Sequence, residues 1–231
     1  MNYKSSSFYA IAQSMIIACG IKVAAFLKFS YIVGSHAAFF SASSIAIPLM
    51  GAWSRIPAIL MACAFGFAIR LAFGASLLPM LAFWVPGLCA ALYWQMPSKF
   101  YRLGLPLLCM ILFIAHPVGA AAAPYAFYWF IPIFIAMMRN RTLWHDALAS
   151  TFTAHAVGSV IWLYTVPMSA AAWLALIPVV ACERMLYASG IVVGYAVISY
   201  LISFSRTHSI HSSSSRCLTQ NTQGEREIMT R

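Results

Sequence analysis

The sequence has very little charge. Only 8% of its 231 residues are Asp, Glu, Lys or Arg, and only 4 of them are acidic, whereas about 25% are charged in an ordinary soluble domain. Hydrophobic residues make up 63% of the chain, and the mean hydropathy is +0.85. A water-exposed surface needs charges over most of its area, so these values exclude a soluble enzyme, a nucleic-acid-binding domain and a disordered protein. They predict a polytopic helical membrane protein.

The sequence also lacks the motifs of several enzyme classes. It has no P-loop, no G-x-S-x-G nucleophile elbow and no set of kinase motifs, so we do not expect this chain to hydrolyse ATP or to act as an enzyme of those classes. Its 6 cysteines are far apart, without a C-x-x-C pair or a zinc-ligand spacing. We therefore predict no disulfide framework, metal site or cofactor, and we interpret the cysteines as small apolar packing residues.

Apolar runs cover most of the chain. A helix needs about 20 apolar residues to cross the hydrocarbon layer of a membrane, and eight segments approach that length. They are residues 8–29, 36–53, 57–74, 77–95, 103–118, 122–138, 147–166 and 171–204. The runs show no alternation with a period of two, so we do not expect strands. The sequence predicts an all-α transmembrane bundle of six to eight spans within residues 1–204.

Basic residues alternate between the predicted loops. Lys or Arg flanks every second connection, at positions 4, 55, 99, 102, 139, 141, 206 and 216. The loops near residues 75–76, 118–122 and 167–170 contain neither, and Lys28 in the first loop is the exception. Because basic loops stay in the cytoplasm, we expect both termini to be cytoplasmic and the protein to lie in a bacterial cytoplasmic (inner) membrane.

The last segment, residues 205–231, differs from the rest in composition. It contains a run of four serines, two histidines and several amides. Such a polar segment buries too little apolar area to fold, so we predict a disordered cytoplasmic tail.

A few ionisable side chains fall inside the apolar segments, where each costs on the order of 3 kcal/mol. They are Lys22, Arg70, His116, His155, Glu183 and Arg184. Neighbouring residues on a helix project about 100° apart, so we expect Glu183 to pair with Arg70 or Lys22 rather than with Arg184. The pair could serve ligand binding, or it could be a structural ion pair between helices.

Cationic and aromatic residues coincide at the outer ends of several predicted spans. Lys22, Arg70 and His116 lie in the outer halves of their spans, and Trp162 and Tyr164 end the seventh. Together they predict an outward-facing cavity for a small ligand with an anionic or polar head and a flat apolar body. The predicted substrate-binding residues are Lys22, Arg70, His116, Trp129, His155, Trp162 and Glu183. Alternatively, the aromatic residues belong to the membrane-interface belt.

Two histidines share the local pattern A-H-x-V-G, at His116 and at His155. The glycine three positions later leaves a bare patch beside each ring, which allows a neighbouring helix or ligand to approach closely. An intramembrane enzyme that uses His116, His155 and Glu183, with or without a metal ion, is therefore an alternative function. Two independent packing histidines are the other interpretation.

Two stretches resemble a known family. Phe39 to Trp53 (FFSASSIAIPLMGAW), followed by short spans interrupted by Gly and Pro, is similar to substrate-binding S components of energy-coupling factor (ECF) vitamin transporters. So is the last segment, where Leu176-Ile177-Pro178 leads into Glu183-Arg184 and a long apolar helix. The resemblance covers most of residues 8–204. Where the first helix of this family often carries A-x-x-x-A, this chain has Ala10, Ser14 and Ala18.

The resemblance implies a compact bundle, usually of six spans, that captures a vitamin-like micronutrient from outside the cell. Transport would then need a separate transmembrane coupling subunit and ATPases. Our first hypothesis is thus a non-enzymatic capture subunit whose partners are the lipid bilayer, a small solute and these subunits, and not nucleic acid. A structural membrane protein without a ligand remains a third possibility beside the enzyme.

Overall fold

The computed structural model describes residues 28–31, 39–41, 43–74, 77–201 and 203. Nearly all of these residues are helical, which confirms the predicted helical character of the chain. The helices are α1 (Ser43–Trp53), α2 (Ile56–Ala72), α3 (Leu77–Gln95), α4 (Lys99–Ala115), α5 (Pro117–Ala121), α6 (Ala123–Ala126), a 3₁₀ turn (Phe127–Trp129), α7 (Phe130–Met137), α8 (Leu143–Thr165), α9 (Ala170–Ala175) and α10 (Ile177–Leu201).

Two short strands are the exception to the helical pattern. β1 (Lys28–Tyr31) pairs antiparallel with β2 (Phe39–Ser41), with Tyr31 opposite Phe39. Strands of three or four residues are too short to show a period of two in the sequence, so the pattern of apolar residues did not indicate them.

The helices follow the predicted apolar segments from residue 43 onward. Some predicted segments are broken in the structure: residues 103–118 contain the end of α4 and the start of α5, residues 122–138 form α6, the 3₁₀ turn and α7, and residues 171–204 contain α9 and α10. The predicted first span lies almost wholly outside the described residues, as does the predicted tail at 205–231. The division of the chain at residue 204 stays a prediction.

The bundle is organised around α3 and α8, which pack extensively against each other. Helices α1 and α2 pack on α3, and helices α4 and α7 pack on α8. The contact of α1 with α3 requires glycine, because a Cβ atom on Gly51 would overlap the carbonyl oxygen of Ala91. A buried hydroxyl joins the central pair: Ser150 donates to the carbonyl of Ala90 at 2.9 Å and accepts from the indole N–H of Trp94 at 3.1 Å.

The chain divides into two compact units, residues 1–192 and 193–231. In the second unit, the described residues are the last turns of α10 and Ser203, whose hydroxyl donates to the carbonyl of Tyr200 at 2.7 Å. All contacts described below lie within the first unit.

Large apolar side chains are exposed on many of the helices. Phe100 is 87% exposed, Met137 70% and Ile111 65%. Among the described residues, two helices, α8 and α10, are both long and apolar enough to cross a membrane, and α2 is a shorter apolar helix. The predicted number of six to eight spans therefore stays a prediction.

Candidate functional site

Four aromatic rings meet in the middle of the first unit. Phe113 of α4 lies 5.2 Å from Trp129, 5.3 Å from Trp173 and 5.6 Å from Tyr125, measured between ring centroids. All four residues are at most 2% exposed. Edge-to-face and stacked rings at these distances add to the free energy gained by burial. We call Phe113, Tyr125, Trp129 and Trp173 the aromatic cluster.

The short helices that follow α4 bring these rings together. Pro117 disfavours a helical conformation at the preceding residue, and His116 is accordingly extended, with φ −82° and ψ 135°. The chain therefore turns after α4 and begins α5, with His116 as its N-cap. The turns of α6 and the 3₁₀ segment then direct Tyr125 and Trp129 into the bundle, where Phe113 and Trp173 contact them.

The imidazole ring of His155, on α8, forms the polar part of this core. Its Nδ1 atom lies 3.3 Å from the indole Nε1 of Trp129, and its Nε2 atom lies 2.8 Å from the hydroxyl of Tyr125. Ser159, one turn later on α8, is 3.3 Å from the same hydroxyl. Because an indole N–H can only donate, Nδ1 accepts, and in the neutral ring the proton is on Nε2. His155 Nε2 then donates to Tyr125, which is free to donate to Ser159.

A second buried polar group lies on α10. Arg184 Nη2 is 3.4 Å from the Oε2 atom of Glu183, and Arg184 Nη1 donates to the carbonyl of Thr151 at 3.4 Å. The prediction that Glu183 would pair with a cation on another helix rather than with Arg184 is wrong for the described residues. The arginine side chain is long enough to fold back towards its neighbour, and both residues are 8% exposed, so the pairing offsets the cost of burying two charges.

Three buried polar atoms in this region have no hydrogen-bond partner among the described residues. They are the indole Nε1 of Trp173, Oε1 of Glu183 and Nε of Arg184. Glu183 and Arg184 are within electrostatic range of Tyr125, and Arg184 is also within electrostatic range of His155. An unsatisfied buried polar group costs about 1–3 kcal/mol, which a polar ligand atom would recover by bonding to it.

An open cleft of about 570 Å³ lies at the end of the bundle where α8 ends. It is lined by His116, Val118 and the segment 163–169. The ring of His116 packs edge-on against Tyr164, with 5.1 Å between centroids, and Tyr164 donates to the carbonyl of Leu112 at 2.8 Å. Leu163 lines the cleft and also packs in the core that contains the aromatic cluster.

Three of the predicted site residues lie in or near the aromatic cluster. Trp129 and His155 are hydrogen-bonded to each other. Glu183 is within electrostatic range of Tyr125. Sequence analysis did not identify Tyr125, Ser159, Trp173 or Arg184 as part of this site. The spacing of Ser159 four residues after His155 is a signal that was available, because positions i and i+4 share a helix face.

The other predicted residues lie elsewhere. His116 lines the cleft, and Trp162 lies beside it, with its indole N–H 3.1 Å from the sulfur of Met168. Arg70 is exposed on α2, where its guanidinium carbon is 5.5 Å from the ring centroid of Phe83. Lys22 lies outside the described residues. The structure therefore forms two adjoining groups of predicted residues and places Arg70 in neither of them.

The residues of the alternative enzyme do not form a metal-binding set. Within the described part of the chain, no three His, Cys, Asp or Glu side chains are grouped so that they could hold a metal ion. His116 lines the cleft, whereas His155 bonds to Tyr125 in the core.

Comparisons of this chain with known protein families, with curated proteins and with solved structures gave no match.

Proposed function

We propose that this protein is a membrane-embedded capture subunit that takes up a small vitamin-like solute from outside a bacterial cell. The observation that carries the proposal is the buried network of His155, Tyr125 and Ser159, in a core whose member Leu163 also lines an open cleft. Polar residues hidden in a membrane-embedded bundle are costly and mark functional sites. Concave, mostly apolar sites with a few polar groups are typical of small-molecule binding.

The distribution of apolar and basic residues supports a location in the membrane. Large apolar side chains are exposed along the helices, as expected where lipid surrounds a bundle. Basic residues occur where α3 and α7 end and where α2, α4 and α8 begin, whereas the links at residues 73–76, 116–122 and 166–169 contain no Lys or Arg. By the positive-inside rule, the cleft at residues 163–169 then opens on the outer side.

The lining of the two groups indicates the kind of solute. The cleft offers the rings of His116 and Tyr164 and an apolar floor at Leu163, which suit a flat, partly apolar body. In the core that Leu163 shares with Trp173, the unsatisfied N–H groups of Trp173 and Arg184 would offer bonds to an acceptor on the solute. We infer a flat heterocyclic solute with at least one hydrogen-bond acceptor.

Capture rather than chemistry is the proposed role. The sequence has no P-loop, so energy for transport would come from separate ATPases acting through a transmembrane coupling subunit. Affinity would come from burying the flat body and from a few hydrogen bonds in the core.

The test is direct binding. The purified protein is denatured and the released small molecules are identified by mass spectrometry, and a panel of vitamins is screened by thermal shift and tryptophan fluorescence. Tyr125→Phe is expected to weaken binding of a hit by about tenfold, as for a lost buried hydrogen bond. Arg70→Gln, on an exposed position of α2, is the matched control and is expected to leave affinity unchanged. Protein that is reproducibly empty and binds no compound in the panel would refute the proposal.

A further inference from the structure

A buried arginine lies at the opposite end of the bundle from the cleft. Arg102, in the first turn of α4, is 7% exposed. Its Nη2 atom donates to the carbonyl of Tyr93 at 3.0 Å, and its guanidinium carbon lies 4.5 Å from the ring centroid of Tyr93. The Nε and Nη1 atoms are buried without a hydrogen-bond partner in the ranges that the structure describes. Arg102 therefore caps the carboxyl end of α3 with an N–H group of Nη2, and its Nε and Nη1 donors have no acceptor among the described residues.

A second arginine and a single carboxylate share this location. The Nε atom of Arg141, which precedes α8, is 3.7 Å from the Oδ1 atom of Asp146 in the first turn of that helix. The ring of Tyr93, which packs against the guanidinium group of Arg102, is also within electrostatic range of Arg141 and Asp146, so the four side chains lie near one another. These side chains carry two guanidinium charges and one carboxylate, of which only Arg141 is paired with the carboxylate, and the group has an excess of one positive charge.

The backbone adds to this positive field. The amino terminus of α4 lies at the same place, and its N-cap residue Ser98 makes no side-chain capping bond within the described residues. The first N–H groups of a helix and its dipole favour an anion at that end. A buried, forked guanidinium group with free N–H donors is the group that best matches a tetrahedral oxyanion.

We propose that Arg102 and Arg141, with the first turn of α4, form a binding site for a phosphate group. A singly charged phosphate would neutralise the excess charge and would accept from the unused N–H groups of Arg102. The group could be free phosphate or the headgroup of an anionic phospholipid, and both present the same oxygens. This site is separate from the cleft and the aromatic cluster, and the proposal does not depend on the capture function.

The experiment measures unfolding temperature on the full chain, purified in a phosphate-free neutral detergent. One arm titrates inorganic phosphate against sodium chloride at equal ionic strength. The other arm adds phosphatidylglycerol against diacylglycerol with the same acyl chains. A rise in unfolding temperature in the first arm identifies free phosphate, and a rise confined to the second identifies the headgroup. Either result supports the site if Arg102→Gln and Arg141→Gln weaken the response and Arg139→Gln does not. The absence of a specific rise in both arms overturns the proposal.

Three variants test the residues. Arg102→Gln is expected to raise the half-saturating ligand concentration by about 30-fold or more, as for loss of one partner in a buried charge-assisted contact. Arg141→Gln, at a more accessible position, is expected to raise it by about 5-fold and keeps the test open if Arg102→Gln does not fold. Arg139→Gln is the matched control, because Arg139 is an exposed cation two positions from Arg141, and it should change the value by less than about 2-fold. An unchanged response in Arg141→Gln, or an equal loss in Arg139→Gln, would show a diffuse surface effect and overturn the proposal.

Discussion

Gly119 is the position beside the cleft where a single methyl group is expected to do most damage. A Cβ atom at this residue would overlap the carbonyl oxygen of Phe113 and would lie 3.1 Å from Leu163. Non-bonded carbon contacts are most favourable at about 3.5–4.0 Å, so α5 would have to move by about 1 Å or more. Because Phe113 is in contact with the other rings of the aromatic cluster, the shift cannot be confined to α5.

We predict that Gly119→Ala lowers the free energy of unfolding by about 2 kcal/mol, within the range of 1–3 kcal/mol for overpacked cores. For a chain of this size, that loss lowers the unfolding temperature by about 4–8 °C. The measurement is thermal unfolding of the detergent-purified protein, followed by tryptophan fluorescence, since Trp129 and Trp173 are buried in the affected core.

The second copy of the A-H-x-V-G pattern provides the control. A Cβ atom on Gly158 would lie 3.4 Å and 3.7 Å from atoms of Pro86, which are ordinary contact distances. Alanine is favoured over glycine in a helix interior by up to about 1 kcal/mol, so Gly158→Ala should leave the unfolding temperature unchanged or raise it. Equal losses in the two variants, or no loss in Gly119→Ala, would refute the packing described here.

Three further substitutions test the buried polar groups. Tyr125→Phe removes the hydroxyl that bonds to the histidine of α8 and is expected to cost about 1–2 kcal/mol in chemical unfolding; a loss below about 0.3 kcal/mol would contradict the bond. Glu183→Ala leaves the Arg184 charge buried and uncompensated, and a loss of about 3–5 kcal/mol is expected. The double variant Glu183→Leu with Arg184→Met should be more stable than Glu183→Ala, and the reverse order would count against a buried pair. Ser150→Ala, which breaks the link between α3 and α8, should lower the unfolding temperature more than Ser189→Ala, whose hydroxyl is exposed; similar shifts would argue against that link.

The helical segments were predictable because they depend on local properties of the chain. Long apolar runs without a period of two specify helices wherever they occur, and the predicted segment 77–95 coincides with α3. Breaks were harder to place: Pro117 signals the end of α4, but nothing near residue 127 indicates the 3₁₀ turn before α7. The positions of the basic loops were also predictable, because the composition of a loop does not depend on which helices pack together.

The composition of the candidate site depended on the tertiary structure. The sequence identified His155 and Trp129 as candidate site residues. It gave no reason to connect them with Trp173, which lies on α9, more than 40 positions after Trp129. It placed Arg70 in the cavity, whereas the fold exposes Arg70 on α2. Helix packing decides which polar groups meet. That packing depends on steric contacts between positions far apart in the chain, such as Gly51 against Ala91. An apolar run determines that a helix forms, but only the shapes of its partners determine which of its faces is buried.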